Sequence, residues 1–414
     1  MAQEATVIEE TSEEDGLIID DSSDLDAGLI FVDDESLETA YVIAGVRSES
    51  DWFSVPATVN VIEESTLEER QVRNLTEALE RIPGVMVQKT ANGQGSPYIR
   101  GFTGYRTLAM VDGVRYNNSV YRDGPSEYFS LIDVQAIESI ELIQGPGSVL
   151  YGSDAIGGTL YLKTKSADFE IEAEGETFHH VTNYYRWHSA EQSHQERLQY
   201  QTGVGGKWGL HLGGTIKNFG DVKAAKVGEQ KATGYDEWAY DVRFDAALSD
   251  QWTFTAAHQV LNQDDVWRTH STIYGVSFAG SEIGSDPLRL KDQRRSLSYV
   301  KLRGENLDGF VDAATLTGSY QTWHEQGLRL RTRGRRSAEN FDSRMWGIDL
   351  QLESDSPLGR LTYGVDYYLD HVDTLTVDSV DGVPGSRRRA IQGPVGDDSI
   401  FGQFGVYLQD AIEV

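Results

Sequence analysis

Strict alternation of side-chain character, repeated about ten times, constrains this chain more than any other feature. Between Trp238 and Leu248 one face carries Trp238, Tyr240, Val242, Phe244, Ala246 and Leu248, and the other carries Asp241, Arg243 and Asp245. Trp346, Ile348, Leu350 and Leu352 alternate with Gly347, Asp349, Gln351 and Glu353; residues 361–369 repeat the pattern. A period of two is the signature of β-strands. The segments lie near 176–188, 195–206, 208–219, 235–248, 251–263, 293–305, 311–324, 341–353, 360–372 and 401–414. Many match the roughly 9–11 residues with which a tilted strand crosses a bilayer. Connections near 206–208, 249–250, 306–309 and 354–359 are short, whereas those at 220–234, 264–292, 325–340 and 373–400 are long. A soluble sandwich or propeller also alternates side chains, but has no reason to sort loop length by end. A transmembrane barrel with short turns on one side does.

Composition fits that reading. In 414 residues there is no Cys, which excludes disulfide scaffolds, cysteine zinc sites and thiol catalysis. A net charge of −30 opposes nucleic-acid binding, so no nucleic-acid partner is expected. No run approaches the ~18 apolar residues of a spanning helix. Gly 42, Tyr 20 and Trp 8 suit a barrel.

Residues 1–39 hold 14 acidic residues and no Lys or Arg. Residues 1–38 are therefore expected to form a disordered acidic tail, in which the beads at 16–19 and 28–32 are alternative docking motifs. No apolar stretch of a secretory signal precedes Glu4; Met1–Ala5 reads equally as an ordinary start or as the remnant of a cleavage site. Residues 48–167 read as an α/β domain. Val59–Ile62 is a strand candidate, and Asn74–Ile82 is a helix with Asn74 as N-cap and Glu77 three residues on, stopped by Pro83-Gly84. Residues 85–87, 98–100, 108–111 and 140–143 are further strands, with a turn at Asp112-Gly113.

The ordered text of this domain is specific: Asn74-Leu75-Thr76-Glu77-Ala78-Leu79, Ile82-Pro83-Gly84-Val85, Ile99-Arg100-Gly101-Phe102, Met110-Val111-Asp112-Gly113-Val114-Arg115, Ile137-Glu138-Ser139-Ile140-Glu141, and the run from Gly145 to Gly158. It resembles the plug of TonB-dependent outer-membrane receptors, and residues 168–414 resemble the first part of their barrel. The fold class implied is an α+β plug followed by an antiparallel transmembrane β-barrel, truncated at about ten of about 22 strands. On that reading Gly402–Val414 is an edge strand, and the sequence is a fragment lacking both its signal and its later strands.

The resemblance implies uptake across the outer membrane of an iron complex, siderophore or haem. Cobalamin, or a surface receptor that signals without transport, is the alternative. It also implies TonB as partner, contact with outer-membrane lipid and lipopolysaccharide, a monomer, no cofactor and no enzyme chemistry. An acidic β-rich hydrolase using Asp241 and Asp245 is disfavoured, because four residues of strand rise separate them by about 13 Å. Residues 39–47 are similar to the energy-coupling segment, with Thr39, Ala40, Tyr41, Val42, Ile43, Ala44 and Gly45 adding as a strand to a sheet edge of TonB; the other reading is the plug's first strand. Arg100 resembles the arginine that locks plug to barrel carboxylates. Gln144 stands where a second arginine is common and can only hydrogen-bond. Gly145, Gly147, Gly152, Gly157 and Gly158 are expected at tight turns where the plug meets the wall.

Ligand contacts are expected from the outward plug residues Tyr105, Asn117, Asn118, Tyr121 and Arg122. Arg329, Arg331 and Arg333, on one face by period two, suit carboxylates or phosphates, whether of a ligand or of lipopolysaccharide. His270, His324 and His371 fall near outer loops and are candidates for haem or metal ligation.

Overall fold

The computed structural model describes residues 41–42, 47, 50–51, 55, 57–277, 280, 282–357, 359–380, 383–388, 391–392 and 395–412. The acidic tail lies outside them, as do Thr39, Ala40, Ile43, Ala44 and Gly45.

The plug is built on a five-stranded sheet. Its strands are β1 (Thr58–Glu63), β4 (Thr107–Val111), β5 (Val114–Arg115), β6 (Ile137–Gln144) and β7 (Gly158–Thr164), in the order β1-β6-β7-β4-β5. Only β4 and β7 pair in parallel. A separate hairpin joins β2 (Val85–Ala91) to β3 (Gln94–Ile99). Asn74 caps α2 (Leu75–Leu79) by accepting from the Glu77 amide at 3.2 Å, so the anticipated helix starts where its cap residue predicts. It ends earlier than the Pro83-Gly84 stop, and a helix that the periodicity did not suggest, α1 (Glu64–Arg70), follows β1. The last plug helix is α3 (Ser148–Tyr151).

All ten alternating segments are strands of one antiparallel sheet: β8 (Thr177–His188), β9 (Ser193–Val204), β10 (Trp208–Phe219), β11 (Tyr235–Ala247), β12 (Trp252–Trp267), β13 (Leu288–Gly304), β14 (Ala313–Leu330), β15 (Arg335–Asp355), β16 (Gly359–Val380) and β18 (Ser399–Ile412). A short β17 (Val383–Arg388) folds back on the outer end of β16. Strands of 18, 21 and 22 residues (β14, β15, β16) exceed a bilayer crossing. The long loops expected at 325–340 and 373–400 are thus largely hairpin. Period two persists through Leu328 and Leu330, and only 331–334 turn, with Arg333 at φ 77°.

The apolar row faces out and the polar row faces in, the inverse of a soluble sandwich. On β11, Trp238 and Tyr240 are exposed, while Glu237 and Asp245 are buried against neighbouring residues. Among the described residues no helix is long and apolar enough to cross a membrane. One core joins plug to wall: Leu75, Leu79, Val111, Tyr116, Tyr121, Phe129 and Leu160 pack with Ala239, Leu261, Leu297, Trp323 and Phe341 from inward-facing strand positions.

Candidate functional site

At the inner end, Tyr41–Val42 pairs with Ser50–Asp51 as a two-residue antiparallel hairpin. Between the two arms, Arg47 is driven into the plug–wall seam. Its guanidinium sits 4.7 Å from the Tyr151 ring of the plug and 4.1 Å from the Tyr407 ring of β18. It pairs with Asp349 of β15 at 3.3 Å, and Gln351 donates to the Arg47 carbonyl at 2.7 Å. Cation–π contact strengthens as water is excluded, and the Arg47 side chain is only 8% exposed. Arg47 therefore ties the segment preceding the plug to the barrel. Sequence reasoning used Arg47 only as a boundary; a lone cation after a long acidic run was the available signal.

A second fastening lies in the wall seam. Asp133 of the plug receives the Lys217 ammonium at 2.9 Å, the Thr215 hydroxyl at 2.6 Å and Arg197 at 3.4 Å. Lys217 also pairs with Glu237 at 2.7 Å, and Arg197 with Asp241 at 2.8 Å. Burial pushes the Asp133 carboxyl up, but the Lys217 and Arg197 charges and the Thr215 hydrogen bond outweigh it and hold it below the ordinary carboxylate range. This cluster fastens the plug to the wall through buried charges.

Arg100 itself is exposed at φ 50° and donates to Thr58 within the plug at 3.3 Å; among the described residues it meets no barrel carboxylate. Gln144 likewise braces the plug, donating to Asn60 at 2.9 Å and to the Pro83 carbonyl at 2.7 Å. The glycine turns mostly serve the plug's interior rather than its meeting with the wall. A Cβ on Gly157 would lie 2.5 Å from that of Phe102, and one on Gly158 would lie 2.5 Å from the Ile143 carbonyl. Gly145 packs against Arg100 and Gly147 against Thr159; of the five, Gly152 faces the wall, near Gln403.

At the outer end, a cavity of about 100 Å³ lies between the plug and the inward faces of β13, β14 and β15. Five cations line it, Arg122, Arg268, Arg289, Lys291 and Arg329, against the two carboxylates Glu325 and Glu339. Arg122 and Arg268 share Glu127, at 3.3 and 2.5 Å. Lys291 pairs with Glu325 and Arg329 with Asp286, each at 2.7 Å. Arg289 stands directly across from Arg329 in the β13–β14 register and has no ion pair among the described residues.

The structure thus brings Arg122 and Arg329 together and separates the other candidates. Asn117, Asn118 and Tyr121 are buried rather than presented outward. The Asn117 side chain ties the Ala109 amide to the Thr107 carbonyl, and Tyr121 stacks among Tyr128 and Phe129. Their backbone turns still border a second cavity of about 320 Å³ with Tyr105, Ser119, Tyr368 and Phe401. Arg331 and Arg333 sit at the β14–β15 tip, away from the outer cavity lining. The histidines do not converge. His270 binds the Thr90 carbonyl of the plug at 2.9 Å, and His324 pairs with Asp342 on the outward face at 2.7 Å. His371 lies with Asp373 and Asp398, donor atoms within 4.8 Å of one another, a spacing that one metal ion could span. Asp241 and Asp245 are occupied by Arg197 and Arg243, which accounts for them structurally.

A small α+β domain seated against an antiparallel, outward-apolar sheet defines a plugged outer-membrane barrel. Residues 52–159 match the family model described as TonB-dependent Receptor Plug Domain. The vitamin B12 transporter BtuB of Vibrio vulnificus (strain CMCP6) is 30% identical over 291 residues, covering 67% of this chain and 45% of that protein. The iron-regulated outer membrane virulence protein of Vibrio cholerae (strain O395) is 44% identical over 117 residues, 27% of this chain and 18% of that protein. In fold, the chain matches the ferripyoverdine receptor of Pseudomonas aeruginosa with a TM-score of 0.67 at 12% identity, over 89% of this chain and 51% of that one. The chain belongs to the TonB-dependent receptors of the outer membrane. It spans less than half the length of the curated relatives it matches.

Proposed function

We propose that this receptor takes up an iron complex across the outer membrane, powered from the inside through the segment ahead of the plug. The observation that carries the ligand half is the outer cavity, where five cations outnumber two carboxylates in a chain of net charge −30. Iron chelates built from carboxylates, phosphates or catecholates are anionic and suit guanidinium forks. A siderophore-type chelate is favoured over haem, because His270 is tied to the plug and His324 faces outward. Cobalamin is the second reading, favoured by the 30% identity to a protein named as a vitamin B12 transporter.

The observation behind the coupling half is the hairpin at Tyr41–Val42, tethered through Arg47. An extended segment of this kind can leave its hairpin and pair with a sheet edge of TonB, main chain to main chain. The exposed outward row of Trp238, Ile348, Phe404 and Val406 suits a lipid belt, and the exposed Arg336 and Arg344, toward the long-connection end of β15, suit lipopolysaccharide phosphates. The test is deletion of residues 39–45. Surface binding of a ferric chelate should persist while its uptake falls to background; uptake at the wild-type rate would refute coupling through this segment.

A further inference from the structure

The inward row of β13 reads Arg289, Lys291, Gln293, Arg295, Leu297, Tyr299, Lys301, Arg303: five cations in eight positions, and no carboxylate. The β13–β14 register is unbroken from Leu288 to Gly304, so these residues share one face throughout. The rows two strands away on either side differ in sign. That of β15 carries Glu339, Asp349 and Glu353, and that of β11 carries Glu237, Asp241 and Asp245. Fourteen residues of rise make the row about 46 Å long, or about 35 Å along the barrel axis at a tilt near 40°. That exceeds the ~30 Å hydrocarbon layer. Its outer end, Arg289 and Lys291, lines the basic cavity, and its inner end, Lys301 and Arg303, lines a cavity of about 590 Å³ on the side of the short turns.

Three of the five cations have no ion-pair partner among the described residues. Arg289 is unpaired beside Arg268 and Arg329. Arg295, 3% exposed, is held only by Gln321 at 2.8 Å and Gln259 at 3.1 Å, and lies 4.4 Å from the Tyr116 ring of the plug. Lys301 donates to the Asp112 carbonyl of the plug at 2.7 Å. Arg295 is buried and Arg289 and Lys301 are half-buried; a cation withdrawn from water without a counter-charge is costly, and inside a membrane protein it points to a route or a site. At mid-height and at the inner end, the plug covers these cations through Tyr116 and Asp112, contacts that break if the plug moves.

We propose that this row is a track for the anionic groups of the cargo: Arg289 receives a carboxylate or phosphate at the mouth, and Arg295 and Lys301 offer the next positions once the plug has shifted. The proposal rests on the import reading above and deepens it to a ligand class, anionic chelates.

The test has a binding arm and a transport arm. Binding of ferric citrate and of ferric pyrophosphate to the purified receptor is measured beside cyanocobalamin, a corrinoid without net charge; the two chelates separate carboxylate from phosphate recognition. Arg289→Gln should weaken binding of at least one chelate about tenfold or more, Arg289→Lys should restore most of it, and Arg336→Gln on the outward face should change nothing. In cells, Lys301→Gln should leave the Kd within about twofold but lower uptake at saturating chelate, and Lys301→Arg should recover it. Equal affinity in Arg289→Gln, or unchanged uptake in Lys301→Gln, overturns the track. Energised uptake of cyanocobalamin without binding of either chelate overturns the track and leaves import standing. Failure to take up any of the three overturns import itself, and the binding arm then still decides the outer end.

Discussion

Replacing Lys217 with Met tests how the plug is fastened. Lys217 is 1% exposed and sits between Asp133 of the plug and Glu237 of the wall, at 2.9 and 2.7 Å. Without the ammonium, three carboxylates (Asp133, Glu237, Asp241) are left with one guanidinium, Arg197. Removing one partner of a buried pair costs about 3–5 kcal/mol, because the remaining charge keeps its desolvation penalty. Asp133→Asn is milder: Lys217 keeps Glu237, Arg197 keeps Asp241, and the amide still accepts from Thr215. The charge is lost, and so is the acceptor facing the Lys217 ammonium and the Gln135 amide, because the amide keeps one oxygen of two; the cost is about 1.5 kcal/mol or more. Hydrogen exchange of the plug strands β6 and β7 reads the difference directly, since local opening sets their rates. At 1.4 kcal/mol per tenfold, Lys217→Met should speed exchange by about 10²-fold or more and Asp133→Asn by about tenfold. Wild-type protection in Lys217→Met, or a larger effect from Asp133→Asn, would refute the charge accounting.

Further outcomes follow from the same contacts. Arg47→Gln removes two ring contacts and an ion pair from the inner seam, so amides at 41–51 should exchange at least about tenfold faster without loss of the barrel; unchanged protection would mean that Arg47 is not the tether. Burial pushes the Glu77 carboxyl up, but hydrogen bonds and charge from Arg73, with Lys89 alongside, hold it at about 2, down from an ordinary 4.5. A depressed carboxylate stabilises fully above its unfolded pKa and loses that contribution as pH falls through the folded one. Plug stability should therefore drop on the order of 3 kcal/mol between about pH 4.5 and 2. Glu77→Gln should flatten that segment of the pH profile in thermal melts, and an unaltered profile would remove Glu77 as its source. Trp323 packs edge-on at 4.8 Å to Tyr116 and 5.6 Å to Tyr128, so Trp323→Ala should cost about 3–5 kcal/mol in plug–barrel stability, read as a lower midpoint of plug release in urea.

The barrel was legible because lipid demands an apolar side chain at every second position, and that rule is written locally. All ten strands follow from it, and Asn74 marks a helix start for an equally local reason. The extent of the outer connections was less visible: polar residues such as Gln326 and Arg329 look like loop, yet period two carries the strand on beyond the bilayer. The fastening of plug to wall was not legible at all. Asp133 and Lys217 are 84 positions apart, and nothing near either one names the other. Asn117 and Tyr121 were expected to face ligand because plug loops tend to; their side chains instead turn into the plug, onto Thr107 and Ala109 and onto Tyr128 and Phe129, partners that local sequence does not name. The basic row of β13 was written in the sequence as alternating cations, but its meaning required knowing which face is inward.

The central claim is energised import. The most direct measurement is uptake of radiolabelled ferric chelate by cells carrying this receptor, with TonB present and with TonB deleted, beside surface binding of the same chelate. Uptake should vanish without TonB while binding is retained. Equal uptake in both strains would contradict it.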